Sequence, residues 1–600
     1  MCCNINSDLE AFLRTQTHSY SGPSKLKMRS LGPFSLFLVA LFACVNNTFP
    51  PPCDSQIYCR GPILHQVQMA KFFDDDKYFV DMKLRESPDV VLSAFRNLTN
   101  ESANQMVAPA KLKEFLNAYF EKPGTEFESW TPPDWHDKWE PFLEGIADEE
   151  LRKWAGKIHL LWKSLGRKIS AGVRDQPELY SQIYTPHPVV VPGGDSYWVI
   201  NGLLLSEMTD TARGMIQNFL HLVNRYGFVP NGGRIYYERR SQPPFLTLMV
   251  ESYYRATKDR EFLRAALPAL EQEYNFWMHN RSVRVPLNGT EHLMNRYHVQ
   301  VDLPRPESYT DDLELAEGLT NGKLLEQLWM DLKAGAESGW DFTSRWYASG
   351  YDGSNGNLGE TSTSQIVPTD LNALMCLNER TLATFHRILG DGNSSALYDE
   401  YAARRVEAIE SVLWDAERGA WFDFNLMTHS KRFEFYPSNL APVWAECYSR
   451  PDMAENAVKY LKESSALQFP NGVPTSLRET GQQWDYPNAW PPLQHMLIHG
   501  LSKLPSKDAN QLAFDLAQRW IKTNWLAYLK YEAMFEKYDV NGDGKPGGGG
   551  EYEVQLGFGW TNGVALQLLD QYGATLASGS RSVSPGLVLP LVISVALMLQ

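Results

Sequence analysis

Two carboxylates, Glu536 and Glu551, flank a loop that contains four consecutive glycines, Gly547 to Gly550, and the aromatic residues Tyr552, Phe558 and Trp560 follow it. Glycine lets a backbone pass close to another group, because no Cβ clashes and positive φ is accessible. Carboxylates accept hydroxyl protons, and aromatic rings cover the apolar C–H face of a sugar. The combination suits a polyhydroxylated ligand. The same stretch opens like a calcium-binding EF-hand loop at Asp539-Val540-Asn541-Gly542-Asp543-Gly544. Such a loop needs a bidentate Glu at its twelfth position. That position is Gly550, and Glu551 comes one residue late.

Further clusters mix carboxylate, guanidinium, amide and aromatic groups with Gly or Pro. They are Pro192-Gly193-Gly194-Asp195-Ser196-Tyr197-Trp198, the pair Asn231-Gly232-Gly233-Arg234 and Arg239-Arg240-Ser241-Gln242-Pro243-Pro244, and Arg305-Pro306-Glu307-Ser308-Tyr309. Two more are Glu337-Ser338-Gly339-Trp340-Asp341-Phe342 and Gln483-Trp484-Asp485-Tyr486-Pro487-Asn488-Ala489-Trp490-Pro491-Pro492. Polar groups converging from several loops onto one pocket are how a rigid scaffold builds a ligand site.

The elements that must hold these loops read as helices. In 209–226, Ile216, Phe219, Leu220 and Val223 fall on one helical face. Similar segments cover 151–165, 243–257, 261–279, 370–389, 397–414, 453–463, 492–503, 510–535 and 561–572. Strand-like alternation is confined to 189–191. Many helices joined by polar loops, with no low-complexity break, predict one large all-α domain.

The 71 acidic residues against 56 basic give a net charge of −15, which argues against a nucleic-acid surface. Sequons at Asn46, Asn97, Asn100, Asn280, Asn288 and Asn393 fit a secreted glycoprotein. Of the seven cysteines, Cys53 and Cys59 are close enough to bridge in an oxidising compartment. Cys376 and Cys447 stand in apolar surroundings and are expected as buried thiols. No His/Cys spacing typical of a metal site is present, so no metal or cofactor is expected.

Both ends of the chain carry targeting patterns. Residues 1–27 are polar and predicted to be unstructured, and Met28 is the expected start of translation. Residues 28–45 join a basic Lys27-Met28-Arg29 start to an apolar run of signal-peptide length. Residues 46–576 form the expected folded domain. In 577–600, the small residues Ala577-Ser578-Gly579-Ser580, a short spacer and a terminal apolar tail match a glycosylphosphatidylinositol attachment signal, with Ser578 the expected attachment residue.

The run from Gln483 to Pro492 resembles the second signature of the trehalases, inverting hydrolases of glycoside hydrolase family 37, with pattern Gln-Trp-Asp-x-Pro-x-Gly-Trp-x-Pro. Ala489 replaces its Gly. The family's first signature, Pro-Gly-Gly-Arg-Phe-x-Glu-x-Tyr-x-Trp-Asp-x-Tyr, is matched by Pro192-Gly193-Gly194 and Asp195-Ser196-Tyr197, without the residues from the Arg to the Trp. The resemblance runs from about 78 to 572 and implies an (α/α)6 toroid that hydrolyses α,α-trehalose to two glucoses. It implies Asp341 as general acid and Glu536 as general base. It further implies that Asp195, Asn231, Arg240, Ser241, Gln242, Arg305, Pro306, Glu307, Gly339 and Glu551 bind the sugars. The lipid anchor matches the animal members and places the chain on the outer cell surface. A missing buried substrate contact commonly costs a few kcal/mol, about two orders of magnitude in rate. The shortened first signature therefore predicts weakened turnover or, in the limit, a sugar-binding ectodomain of the same fold.

Overall fold

The computed structural model describes residues 49–100, 105–190, 196–348, 356–542, 544–550 and 554–579. The leader and N-terminal extension, Asn46, Asp195, Glu551 and the tail from 580 lie outside them.

After α1 (Pro62–Met69), α2 (Pro88–Asn100) and α3 (Pro109–Tyr119), the chain alternates between two concentric layers. The inner layer holds α5 (Ser196–Leu205), α7 (Leu246–Thr257), α10 (Thr369–Leu389), the single turn α12 (Ala441–Trp444), α14 (Pro491–Ser502) and α16 (Gly559–Tyr572). Each inner helix packs on the next, and α16 returns to α5, closing the ring. The outer layer holds α4 (Glu149–Leu165), α6 (Thr209–Tyr226), α8 (Arg260–Asn280), α11 (Gly392–Val412), α13 (Pro451–Glu463) and α15 (Lys507–Tyr531). This is the predicted all-α, (α/α)6 toroid.

Sequence dictates which layer a helix joins. Outer α6 shows one apolar stripe and one polar face, as a helix half in water must. Inner α16 is buried at every residue from Gly559 to Leu566, and α10 over most of its length. A Cβ on Gly563 would stand 2.0 Å from the Trp198 carbonyl oxygen, so the α5–α16 closure requires glycine there.

Boundaries shift where local chemistry intervenes. Helix α7 begins at Leu246, after Pro243 and Pro244, rather than at Pro243. Helix α15 stops at Tyr531, where Glu532 turns left-handed at φ 53°, and frees 533–536 from the helix. Several short strand pairs exceed the expected strand content, the longest of them a hairpin. It pairs β4 (Ser282–Leu287) with β5 (Thr290–Asn295) in register Ser282↔Asn295 through Leu287↔Thr290. Its turn residues Asn288 and Gly289 both have positive φ, the Asn-Gly chemistry of a tight hairpin. Upstream, β1 (Phe127–Ser129), β2 (Gly166–Ile169) and β3 (Val189–Val190) form a small antiparallel sheet in that order.

Cys53 and Cys59 are disulfide-bonded. Cys376 and Cys447 also form a disulfide, which corrects the expectation of free buried thiols. Apolar burial does not distinguish a thiol from a cystine, and a sequence separation of 71 hid the pairing.

Candidate active site

In an alternating toroid, inner and outer helices run in opposite directions. Every loop that leads from an outer to an inner helix therefore emerges at the same end of the ring. Asn231 to Gln242 precede α7, Arg305 to Asp341 precede α10, Gln483 precedes α14, and Glu536 precedes α16. Topology alone gathers the chemistry-bearing loops at one mouth.

The first side of the site is a turn closed on itself. Asn231 N–H donates to the Arg240 carbonyl at 2.8 Å, and Pro230 pairs with Ser241 as an isolated bridge. The Arg240 guanidinium donates from Nε to Asn231 Oδ1 at 2.8 Å, and from Nη2 to Glu307 Oε1. Gln242 Nε2 donates to the Asn231 carbonyl at 2.5 Å. Ser241 donates from N and Oγ to Glu337 Oε1, at 2.9 and 3.0 Å. Asn231 Nδ2 donates to the Ala336 carbonyl at 3.1 Å, in α9 (Gly322–Glu337), which tethers this turn to the helix that delivers Asp341.

The electrostatics are those of buried pairs. Burial pushes the Glu307 carboxyl up, but the guanidinium groups of Arg240 and Arg305 outweigh it and hold it below the usual range. Burial also raises Glu337, and Arg281 at 2.8 Å reverses the effect. Arg305 binds Asp312 at 2.6 Å from Nη2, and its guanidinium lies 4.8 Å from the centre of the Phe342 ring, next to Asp341. The two arginines expected to meet sugar hydroxyls are thus each oriented by a buried carboxylate.

Gly339, at φ 72°, turns the chain out of α9, and Trp340 and Asp341 follow. Asp485 anchors the segment beyond. It accepts from Thr343 Oγ1 at 3.0 Å, Ser344 N at 2.7 Å, Ser476 Oγ at 2.7 Å and Thr480 Oγ1 at 2.6 Å. Burial raises its pKa despite these donors. Asp341 itself is half-buried. Glu536 is only 3 % exposed, and Trp560 Nε1 donates to its carbonyl at 3.1 Å.

A cavity of about 510 Å³ lies between the second signature and the glycine run, against Gln482, Asn488 and Gly547, and two more open beside Gly339 and Asn231. One of about 60 Å³ is walled by Trp198, Phe245, Gly339, Trp340, Trp444 and Trp484. The other, about 420 Å³, is lined by Asn231, Gln242, Phe245, Phe219, Met215 and Glu273. They share Pro243 and Phe245.

Among the predicted residues, Asn231, Arg240, Ser241, Gln242, Arg305, Glu307, Gly339, Asp341 and Glu536 stand on this connected set of loops. Pro306 is buried, with its carbonyl bonded to Gln68 Nε2 at 3.0 Å. Asp195 and Glu551 lie outside the described residues. Asn97, Asn100, Asn280, Asn288 and Asn393 are exposed. Ser578 is buried, and both its N–H and Oγ donate to Asp148 Oδ2, at 2.8 and 2.9 Å. Arg281 and Asp312 are supports that sequence reasoning did not single out, and Glu337, though named in its cluster, was given no role. Arg281 sits inside a sequon and Asp312 in an ordinary acidic helix, so neither carried a signal of its role.

Residues 71–573 match the family model described as Trehalase. The chain is 51 % identical to the trehalase of Oryctolagus cuniculus over 554 residues, covering 91 % of this chain and 95 % of that one. It is 50 % identical to the trehalase of Homo sapiens, covering 91 % and 94 %. Among solved structures, the neutral trehalase Nth1 from Saccharomyces cerevisiae superposes with a TM-score of 0.53 at 28 % identity, covering 64 % of this chain and 73 % of that one. With the ring fold, the gathered loops and these matches together, the chain belongs to the trehalase family of glycoside hydrolases.

Proposed function

We propose that this chain hydrolyses α,α-trehalose to two glucoses with inversion, using Asp341 as general acid and Glu536 as general base. The family match across residues 71–573 carries the reading, and the hydrogen-bonded connection between the loops bearing both carboxylates supports it. A glycosidic oxygen leaves poorly unless protonated, which is the task of Asp341. Glu536 removes a proton from a water on the opposite ring face. Room for that water requires a carboxyl separation of roughly 6.5–9.5 Å. Asn231, Arg240, Ser241, Gln242, Arg305, Pro306, Glu307 and Gly339, with Asp195 and Glu551, would hold the two rings. The chemistry needs no metal or cofactor.

The same proposal places the protein at the outer cell surface on a lipid anchor attached at Ser578. Two disulfides support an oxidising compartment, as do exposed sequon asparagines.

Glucose release from trehalose tests the reading, with proton NMR following the anomers. Inversion yields one α- and one β-glucose per cleavage, because only one anomeric carbon is attacked. Asp341→Asn is expected to lower kcat by about 1000-fold, in the range of lost general acid catalysis. No release from a protein that melts cooperatively would overturn hydrolysis and leave sugar binding alone. Release from intact cells by a phosphatidylinositol-specific phospholipase tests the anchor.

A further inference from the structure

The second signature supplies none of the residues assigned above, yet it lies between the two reacting segments. Gln483 is 1 % exposed, and both ends of its side-chain amide are engaged. Its Nε2 donates to the backbone carbonyl of Asp341, and its Oε1 accepts from Lys537 Nζ at 2.8 Å. The chemistry of the partners fixes this orientation, since an ammonium only donates and a carbonyl only accepts. Lys537 is fully buried, and its Nζ also reaches Glu536 Oε2 at 3.3 Å. The ammonium lies 4.9 Å from the centre of the Trp490 ring.

A buried ammonium is costly unless it is paired and hydrogen-bonded. Lys537 is paired with the carboxylate read as the base, and joined through one amide to the residue read as the acid. The path from Asp341 to Glu536 therefore crosses only two side chains, although the residues lie far apart in the chain. Neighbouring contacts stiffen the path. Trp484 N–H donates to the Phe342 carbonyl at 3.0 Å. Trp484 stacks on Trp490 at 3.9 Å, and Trp490 Nε1 donates to the Gln483 carbonyl at 2.8 Å. Gly550, at φ 84°, abuts the Gln483 side chain so closely that a Cβ would come within 2.9 Å of it.

We propose that Gln483 and Lys537 form a positioning pair that sets the spacing between the Asp341 and Glu536 carboxyl groups. Neither needs to touch substrate. The inference rests on the reading of those two carboxylates as acid and base, and it assigns the second signature the task of spacing them.

Kinetics of Gln483→Ala, Lys537→Met, the double variant and Lys537→Arg on trehalose test it, beside crystal structures of each. Misplacing a reacting group by about 1 Å costs on the order of 100-fold. Each single variant is therefore expected to lose about 100-fold in kcat, with KM changed by less than about threefold. The double variant is expected to be no worse than the weaker single one, because one broken link already releases the pair. Lys537→Arg, which keeps the cation and its donors, is expected to recover at least part of the rate. Losses that multiply in the double variant, or that fall on KM alone, would overturn the pair. If the parent protein shows no turnover, the proposed hydrolysis fails but the positioning inference is still decided by the crystal structures. A carboxyl separation unchanged in the folded Gln483→Ala and Lys537→Met variants sinks it. Should Lys537→Met fail to fold, Gln483→Ala and Lys537→Arg carry the same comparison.

Discussion

Glu273 on α8 shows how much one unpartnered group can reveal. It is 2 % exposed and lines the cavity of about 420 Å³, and burial pushes its carboxyl up to about 8. No cation opposes that shift among the described residues. The folded chain therefore keeps a proton on Glu273 that the unfolded chain releases near its ordinary pKa of 4.5. Because the folded state holds the extra proton, its stability falls as pH rises from about 4.5 to about 8. Glu273→Gln is expected to remove that slope and to be more stable than the parent at pH 8 by on the order of 4 kcal/mol. Urea midpoints across this pH range, compared between the two proteins, read the effect directly. Residues of this kind were silent in the sequence: Glu273 stands among the charged positions of an ordinary amphipathic helix, and only the tertiary fold buries it. The clusters around Arg240, Arg305 and Asp341 were legible because guanidinium, amide and carboxylate side chains are concentrated there beside Gly and Pro. Asp312, the partner of Arg305, was not, since an acidic residue in a helix ordinarily faces water.

At the scale of elements, helices of both layers were legible in the sequence, the buried inner α10, α14 and α16 among them. Helix α6 matches its expected span of Thr209–Tyr226 end to end. Helix α9 was not among the expected helices; every residue from Leu328 to Glu337 is buried, the charged Asp331, Lys333 and Glu337 included. The hairpin at Ser282–Asn295 announced itself only through Asn288-Gly289, two residues that also read as part of a sequon. Contact between the first and last inner helices depends on what is absent from them. A Cβ on Gly202 would stand 2.8 Å from the Gly563 Cα, and one on Gly563 would strike the Trp198 carbonyl. Gly563→Ala is expected to destabilise the fold by about 3 kcal/mol or more, because two packed backbones must separate. Denaturant unfolding measures the loss. A destabilisation below about 0.5 kcal/mol, the scatter of ordinary surface substitutions, would show the contact to be soft.

For the whole molecule, ring closure is the dominant fact, and alternation of helices implied it without showing it. Periodicity cannot distinguish a bundle from a toroid, because the distinction lies in which helix meets which. The disulfide between Cys376 and Cys447 adds a covalent chord to that ring. It ties inner helix α10 to the residues that follow the short inner turn α12. Cross-linking a span of 71 residues restricts the unfolded chain, and such bonds typically contribute about 2–4 kcal/mol. Replacing both cysteines with alanine is expected to lower stability by that amount in calorimetric or urea unfolding. Reduction of the parent protein, which also opens Cys53–Cys59, should cost at least as much.

Asp148 does two jobs at once. Its Oδ1 accepts the Glu150 and Leu151 N–H groups that open α4, while Oδ2 holds Ser578, and Gln518 of α15 exchanges hydrogen bonds with Ala577 in both directions. The polypeptide reaches exposed Gly579 with no slack behind it. A fluorescent reporter joined at that residue starts from a fixed bearing and not from a leash. Coupled rigidly there, it would tumble at the pace of the entire body.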